Sequence, residues 1–348
     1  MFRKDVDQGA HLPALDEEVL YQYPMAGFRF DIPAPEERLT LLPDGFSLQS
    51  FVERLFADEK EPSPAPSDSV DPLARLSLPE PAVPGTQTRS HLQTRFCEKI
   101  DQRLSSIGYD ECMAVALQAT GHLSTQGQPI LQGQFGAFRG TEPTGRVLLI
   151  GGIHGDELSS VSIVFEWMQF LQQHHDGTFV WNVVPVMNPD GLFRDKPTRT
   201  NANGVDLNRN MPSSDWQSKA LAYWRSQAES SPRKFPGHNA ASEAETQWLI
   251  AEIDRFQPDM IITVHAPHNL IDYDAPTREN APRKFGHVKG NLLGTYPGSL
   301  GNYAGVKRGI PVVTIELPSA NTATSVAQAQ LMWSDMLEWL EKTIPLEN

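Results

Sequence analysis

Four short apolar runs constrain this chain more than any other feature, because each is too short for a buried helix and each is closed by polar or turn residues. Arg146 to Ile153 (RVLLIGGI), Phe179 to Met187, Asp259 to Val264 (DMIITV) and Pro311 to Ile315 (PVVTI) read as buried strands. Helical patterns lie between them. Leu158 to Gln172 places Val161, Val164, Met168 and Leu171 on one face, and Ala327 to Lys342 is a closing amphipathic helix. Ser242-x-x-Glu245 has the form of a capping box and predicts a helix from there to about Phe256. Upstream, Arg89 to Leu104 reads as a helix, and Met113 to Ala119 and Gln128 to Phe138 read as strands. Strands alternating with helices predict an α/β fold, a mixed and largely parallel central sheet with helices on both faces. Sites in such folds lie where strands end.

The chain has 348 residues, enough for one large α/β domain or two smaller ones. Glu59 to Gly85 is rich in proline and serine and cannot continue a helix or a central strand, so it reads as a linker. This divides the chain into an N-terminal extension over 1–90, with some helical periodicity at Phe46 to Leu55, and a larger domain over 91–348. With 39% hydrophobic and 21% charged residues the chain has the composition of a folded globular protein. A net charge of −14 with no Lys/Arg cluster excludes a phosphate-binding face, so no nucleic-acid partner is expected. Cys97 and Cys112 are too few and too isolated for a disulfide framework or a cysteine metal site, so a metal would use histidine and carboxylate. Met1 to Leu20 lacks the apolar core of a signal peptide and no run of about 18 apolar residues occurs, so no membrane association and a cytoplasmic location are expected. Oligomeric state is not legible.

His154-Gly155-Asp156-Glu157 follows the first buried strand directly and projects an imidazole and a carboxylate from one tight turn, with Gly151, Gly152 and Gly155 letting the backbone bend. Two histidines and one glutamate leave a fourth position open for water, as a catalytic zinc site requires. The third ligand should then be a distant histidine. His265 follows DMIITV as His154 follows RVLLIGGI, so both reach the same edge of one sheet; His268 is the second candidate.

The motifs GGIHGDELSS (151–160), NPDG (188–191), RTNANGVDLNRNMP (199–212), SEAETQ (242–247), TVHAP (263–267), YPGSLGNYAG (296–305) and TIELPSA (314–320) together resemble the zinc carboxypeptidase family, and within it the murein peptide amidase branch. The resemblance runs from roughly Gly145 to Leu340. It implies one zinc ion per chain on His154, Glu157 and His265, with Glu316 taking a proton from the attacking water and giving one to the leaving amine. It implies that Asn208 and Arg209 hold the free carboxylate of a small peptide substrate, a task suited to the planar arginine fork. Arg199 matches the arginine that stabilises the oxyanion, with Arg194 five residues away as the alternative. Asp206 matches the carboxylate that orients a zinc-bound imidazole.

Ser299 and Leu300 match the substrate loop. The family's loop tyrosine would fall on Leu293 or Gly294 here, which leaves Tyr296 or Tyr303 to replace it. The murein branch carries an acidic residue after the third zinc histidine where this chain has Ala266, and an apolar Leu300 disfavours a basic terminal side chain. The implied reaction is hydrolysis of a peptide or isopeptide bond next to a free carboxylate, with the γ-D-glutamyl-diaminopimelate bond of murein peptides as the specific case. Two alternatives remain at this stage: deacylation of N-acyl amino acids, as in the aspartoacylase and succinylglutamate desuccinylase group, and a binding protein that has kept the fold without catalysis.

Overall fold

The computed structural model describes residues 85–137 and 142–344. The expected extension and nearly all of the linker lie outside the described residues, as does the pattern at Phe46 to Leu55. The described chain opens with helix α1 (Gly85–Arg103), which begins where the proline-rich stretch ends.

A second helix, α2 (Tyr109–Ala114), occupies the start of the segment expected to be a strand from Met113. Two local effects decide it. Asp110 and Glu111 sit in the first turn, where the helix dipole favours negative charge, and Glu111 Oε2 accepts from the Gly108 N–H at 2.8 Å. The cysteines also differ from expectation, for Cys97 of α1 and Cys112 of α2 form a disulfide across Cα atoms 5.5 Å apart. The chain reverses over 104–108 and lays α2 back along α1, which makes neighbours of two cysteines separated by 15 residues.

The strands follow as β1 (Leu117–Leu123), β2 (Pro129–Phe135), β3 (Gly145–Ile150), β4 (Phe179–Val184), β5 (Met260–His265), β6 (Leu270–Asp274), β7 (Lys284–Phe285), β8 (Val288–Gly290) and β9 (Val312–Glu316). Helix α3 (Leu158–His174) links β3 to β4, α4 (Ala244–Phe256) leads into β5, and α5 (Val326–Thr343) closes the fold. The nine strands form a single sheet in the order β1-β2-β4-β3-β5-β9-β6-β8-β7. Its centre, β4-β3-β5-β9, is parallel, and antiparallel pairing enters at β1–β2, β2–β4, β6–β9 and β7–β8.

Strand alternation divides the interior into two cores. Val147 and Leu149 of β3, Ile262 and Val264 of β5, and Val313 and Ile315 of β9 pack with α1, α3 and α5 on one face. Leu148, Ile150, Ile261 and Val312 point to the other face, against Trp248, Leu249 and Ile253 of α4. From β3 the chain passes to β4 on one side and later returns as β5 on the other. The order therefore reverses at the β3/β5 boundary, where open α/β sheets place their sites.

Helix α4 starts without the capping box expected at Ser242 and Glu245. Its N-cap is Glu243, whose side chain makes no capping bond, and Ser242 Oγ donates to Glu243 Oε1 at 2.6 Å. Glu245 is drawn elsewhere, accepting from the Thr125 N–H at 3.1 Å and from Asn201 Nδ2 at 3.2 Å in a buried polar network beneath the β1–β2 turn. Tertiary partners here outcompete the local cap.

Candidate metal centre and substrate cleft

At the carboxyl end of β3 the backbone turns through Gly151 and Gly152 and presents His154 and Glu157 just before α3. Gly155 makes that turn possible by close approach, since a Cβ there would lie 2.2 Å from the carbonyl carbon of Gly191. The HGDE loop thus rests directly on the NPDG turn. His265 is the last residue of the neighbouring β5.

The three side chains converge and are buried. His154 Nδ1 lies 2.7 Å from Glu157 Oε1, and His265 Nδ1 lies 3.0 Å from both Glu157 Oε2 and His154 Nδ1. On its far side, His154 Nε2 lies 3.1 Å from Asp206 Oδ1. With a cation on Nδ1, Nε2 would carry the proton and donate to Asp206, leaving the Nδ1 lone pair on the side shared with the Glu157 carboxylate. Two imidazole nitrogens and a carboxylate oxygen within 4.8 Å of one another fit a divalent cation, and the donor set is one that catalytic zinc takes. His268, the other candidate, is exposed and stands outside this group, its backbone N–H directed at Glu316 Oε2.

Asp206 is fully buried and ties the group together. Its Oδ2 accepts from Arg199 Nε at 2.9 Å, and Arg199 Nη1 donates to Glu157 Oε1 at 3.2 Å. Burial raises the Asp206 carboxyl, but Arg199 and His154 outweigh it and hold the group well below the usual carboxylate range. Burial likewise raises Glu157, and the two histidines pull it down further than burial lifts it. Arg199 lines the cleft, whereas Arg194 donates to the Ala202 carbonyl at 3.1 Å and is not part of the cleft lining.

The cleft that opens over this group has a volume of about 540 Å³. Glu316, at the end of β9, pairs in register with His265 and stands on the same face. Arg209 and Asn208 enter from the turn Leu207–Arg209. Arg209 stacks over the Tyr296 ring at 4.4 Å and forms no ion pair among the described residues. Burial and the nearby Arg199 lower its pKa, with Asp206 compensating in part, so an incoming anion would relieve an unmatched charge. Asn208 Oδ1 accepts from the Leu300 N–H at 2.8 Å, which leaves its amide nitrogen for another partner. Ser299 Oγ accepts from the Asn302 N–H at 3.1 Å and shapes the loop.

Of the two candidate tyrosines, Tyr296 lines the cleft, while Tyr303 is buried with its hydroxyl accepting from Arg308. Among the cleft residues that escaped the sequence reading are Asp272 and Asp274 of β6. Their signal was present as acidic residues at alternate positions of LIDYD, just after the candidate histidines. The strand itself had not been recognised.

A protein-family model for zinc carboxypeptidase, Peptidase_M14, matches residues 114–288, half of the chain. Murein peptide amidase A of Escherichia coli (strain K12) is 31% identical over 204 residues, covering 56% of this chain and 80% of the relative. The enzyme of the same name from Vibrio campbellii (strain ATCC BAA-1116) is 30% identical over 187 residues, covering 51% and 71%. The crystal structure of murein-tripeptide amidase from Escherichia coli O157 matches with a TM-score of 0.47 and 27% identity, over 63% of this chain and 92% of that one. On the family model and the two sequence relatives, the chain belongs to the zinc carboxypeptidase family and is a hydrolase of the peptidase and amidase kind.

Proposed function

We propose that the chain is a zinc-dependent hydrolase of peptide or isopeptide bonds that lie next to a free carboxylate, with a small murein peptide as its substrate. One observation carries this reading: a His154, Glu157 and His265 group able to hold a divalent ion shares a cleft with Glu316 and with Arg209, which has no ion-pair partner among the described residues. Zinc bound there supplies Lewis-acid polarisation and a water of lowered pKa. The remaining work falls to side chains. Arg209 and Asn208 hold the substrate carboxylate, which fixes the scissile carbonyl beneath Glu316. Glu316 accepts a proton from the attacking water and returns it to the departing amine, so the carboxylate is regenerated in each cycle. Arg199 offers positive charge beside the developing oxyanion, and Asp206 keeps His154 in one tautomer.

The murein assignment rests on the two relatives named for that activity, each at about a third identity over most of its own length. Among the described residues no helix is long and apolar enough to cross a membrane. The buried Cys97–Cys112 bridge favours an oxidising compartment over the cytoplasmic location expected from the sequence. We keep the division into an extension over 1–90 and a catalytic domain over 91–348 as part of the same proposal.

The test is a three-way comparison on the zinc-loaded full chain: a tripeptide ending in diaminopimelate, its C-terminal amide, and a panel of N-acyl amino acids. Release of diaminopimelate from the free acid, with little turnover of the amide, is the expected result. Turnover confined to the acyl amino acids would move the chain to the deacylase reading.

A further inference from the structure

Four of the groups given roles at the site, Arg199, Asp206, Asn208 and Arg209, sit on one stretch of chain, 199–210. That stretch holds one short turn of helix, Leu207–Arg209, and no strand. With so little regular structure of its own, it takes its position from partners elsewhere in the fold.

The near end is held through Asn201, two residues after Arg199 and fully buried. Asn201 Oδ1 accepts from the Asn203 and Val205 N–H groups, each at 3.1 Å, and the Asn201 N–H donates to the Val205 carbonyl at 3.0 Å. These bonds close the loop that brings Asp206 back beside Arg199. The loop is then pinned from outside, for Asn201 Nδ2 and Asn203 Nδ2 both donate to Glu243 Oε2, at 2.7 and 2.8 Å. The far end is held through Asn210, which follows Arg209 and is also fully buried. Its Oδ1 accepts from the Glu243 N–H at 3.3 Å, and its Nδ2 donates at 3.1 Å to Ser242 Oγ, which in turn donates to Glu243 Oε1.

Glu243 therefore holds both ends of the stretch, the near end with its side chain and the far end with its backbone. It is 4% exposed, stands outside the cleft lining, and its carboxylate is occupied by these amides and the Ser242 hydroxyl, which is why it does not cap α4. The anchor is firm because α4 packs Trp248, Leu249 and Ile253 against the sheet and leads into β5, which ends in His265. Removing the carboxylate would leave Asn203 Nδ2 with no partner among the described residues and Asn201 with Glu245 at 3.2 Å and Thr125 at 3.3 Å.

We propose that Glu243 is a positioning residue for the metal centre and the carboxylate clamp. It touches neither, and it sets where Arg199, Asp206, Asn208 and Arg209 stand by fixing both ends of the stretch that carries them. This rests on the metal centre of the proposed function and adds the device that aligns it.

The experiment measures zinc affinity of the full chain by competition with a chromophoric chelator, for E243A, E243Q, D206N and E243A/D206N, with thermal melts confirming that each is folded. E243A should bind zinc about fivefold or more weakly, because Asp206 loses its fixed position against His154. E243Q should stay within about twofold of the natural chain, since its amide oxygen still accepts from Asn201 and Asn203 and its NH2 can donate to Ser242 Oγ. In the D206N background E243A should cost less than about twofold more, as expected for two residues that act through one contact. Amide exchange at Asn203 and Val205 should quicken in E243A while β3 and β5 keep their protection. If E243A does not fold, E243D, which keeps the charge and withdraws the oxygens by one methylene, should show the same loss. A folded variant with zinc affinity unchanged, or a loss that adds in full to that of D206N, would overturn the positioning role and leave the metal centre standing. No zinc binding by the natural chain would remove the metal centre, and with it this inference.

Discussion

Replacing Asp206 with asparagine keeps the shape of the side chain and removes half of what it does. In the protein, Oδ1 receives His154 Nε2 and the Asn208 N–H, while Oδ2 receives Arg199 Nε. Asparagine has one oxygen for three donors. If that oxygen stays with His154, an amide N–H faces the Arg199 N–H, and Arg199 keeps only Glu157. If the amide turns over, His154 Nε2 must become an acceptor, which moves its proton to Nδ1, the atom that points at the proposed metal position. Either arrangement loses a charge-assisted hydrogen bond in a fully buried setting, worth about 1.5 to 3 kcal/mol. Carboxylates that orient metal-binding histidines typically account for about 10- to 100-fold in metal affinity, which is the same range of energy.

D206N should therefore bind zinc about 10- to 100-fold more weakly. A competition titration against a chromophoric chelator at fixed pH reads this without reference to turnover, and a thermal melt checks that the variant is folded. Zinc affinity within about twofold of the natural chain in a folded D206N would refute the argument that Asp206 sets the His154 tautomer.

Other perturbations follow from the same contacts. Glu316→Gln should retain zinc and lose turnover by at least about a hundredfold, as expected for removal of a general base; an active, metal-loaded variant would take Glu316 out of the mechanism. Arg209→Ala should weaken free-carboxylate substrates far more than their C-terminal amides, and equal losses on both would count against the clamp. Removing the Cys97–Cys112 bridge by C97S/C112S should cost about 3 kcal/mol for a loop of this length, a drop of roughly 5 to 10 °C in Tm, and an unchanged melt would show that the bridge adds no stability.

Asp274 gives a pH signature. Its folded-state pKa of about 7 lies above the unfolded value, so the folded chain binds the extra proton, and this group's contribution to stability falls as pH rises from about 4 to 7. Asp274→Asn should flatten that decline, measured by denaturant unfolding at pH 5 and pH 8. A slope identical to the natural chain would deny Asp274 its raised pKa.

The parts of the molecule legible in the sequence were those set by side-chain periodicity. RVLLIGGI, DMIITV and PVVTI had to be central strands, and their ends brought His154, His265 and Glu316 to one edge. What escaped was decided by tertiary partners. Glu245 left its expected cap because Thr125 and Asn201, far away in sequence, offered a buried network. The cysteines looked isolated because their meeting depends on how α1 and α2 fold back. Strand β6 went unseen for a different reason, since two of its five residues are aspartates and so broke the apolar run that marks a buried strand.

The most direct test of the central claim is a zinc titration of the metal-free full chain, with bound metal and release of the terminal residue followed in the same samples. Hydrolysis should rise in proportion to bound zinc, level off at one equivalent, and be absent in H154A and H265A, which should not retain the ion. Full hydrolysis by the metal-free chain, or by variants lacking either histidine, would contradict it.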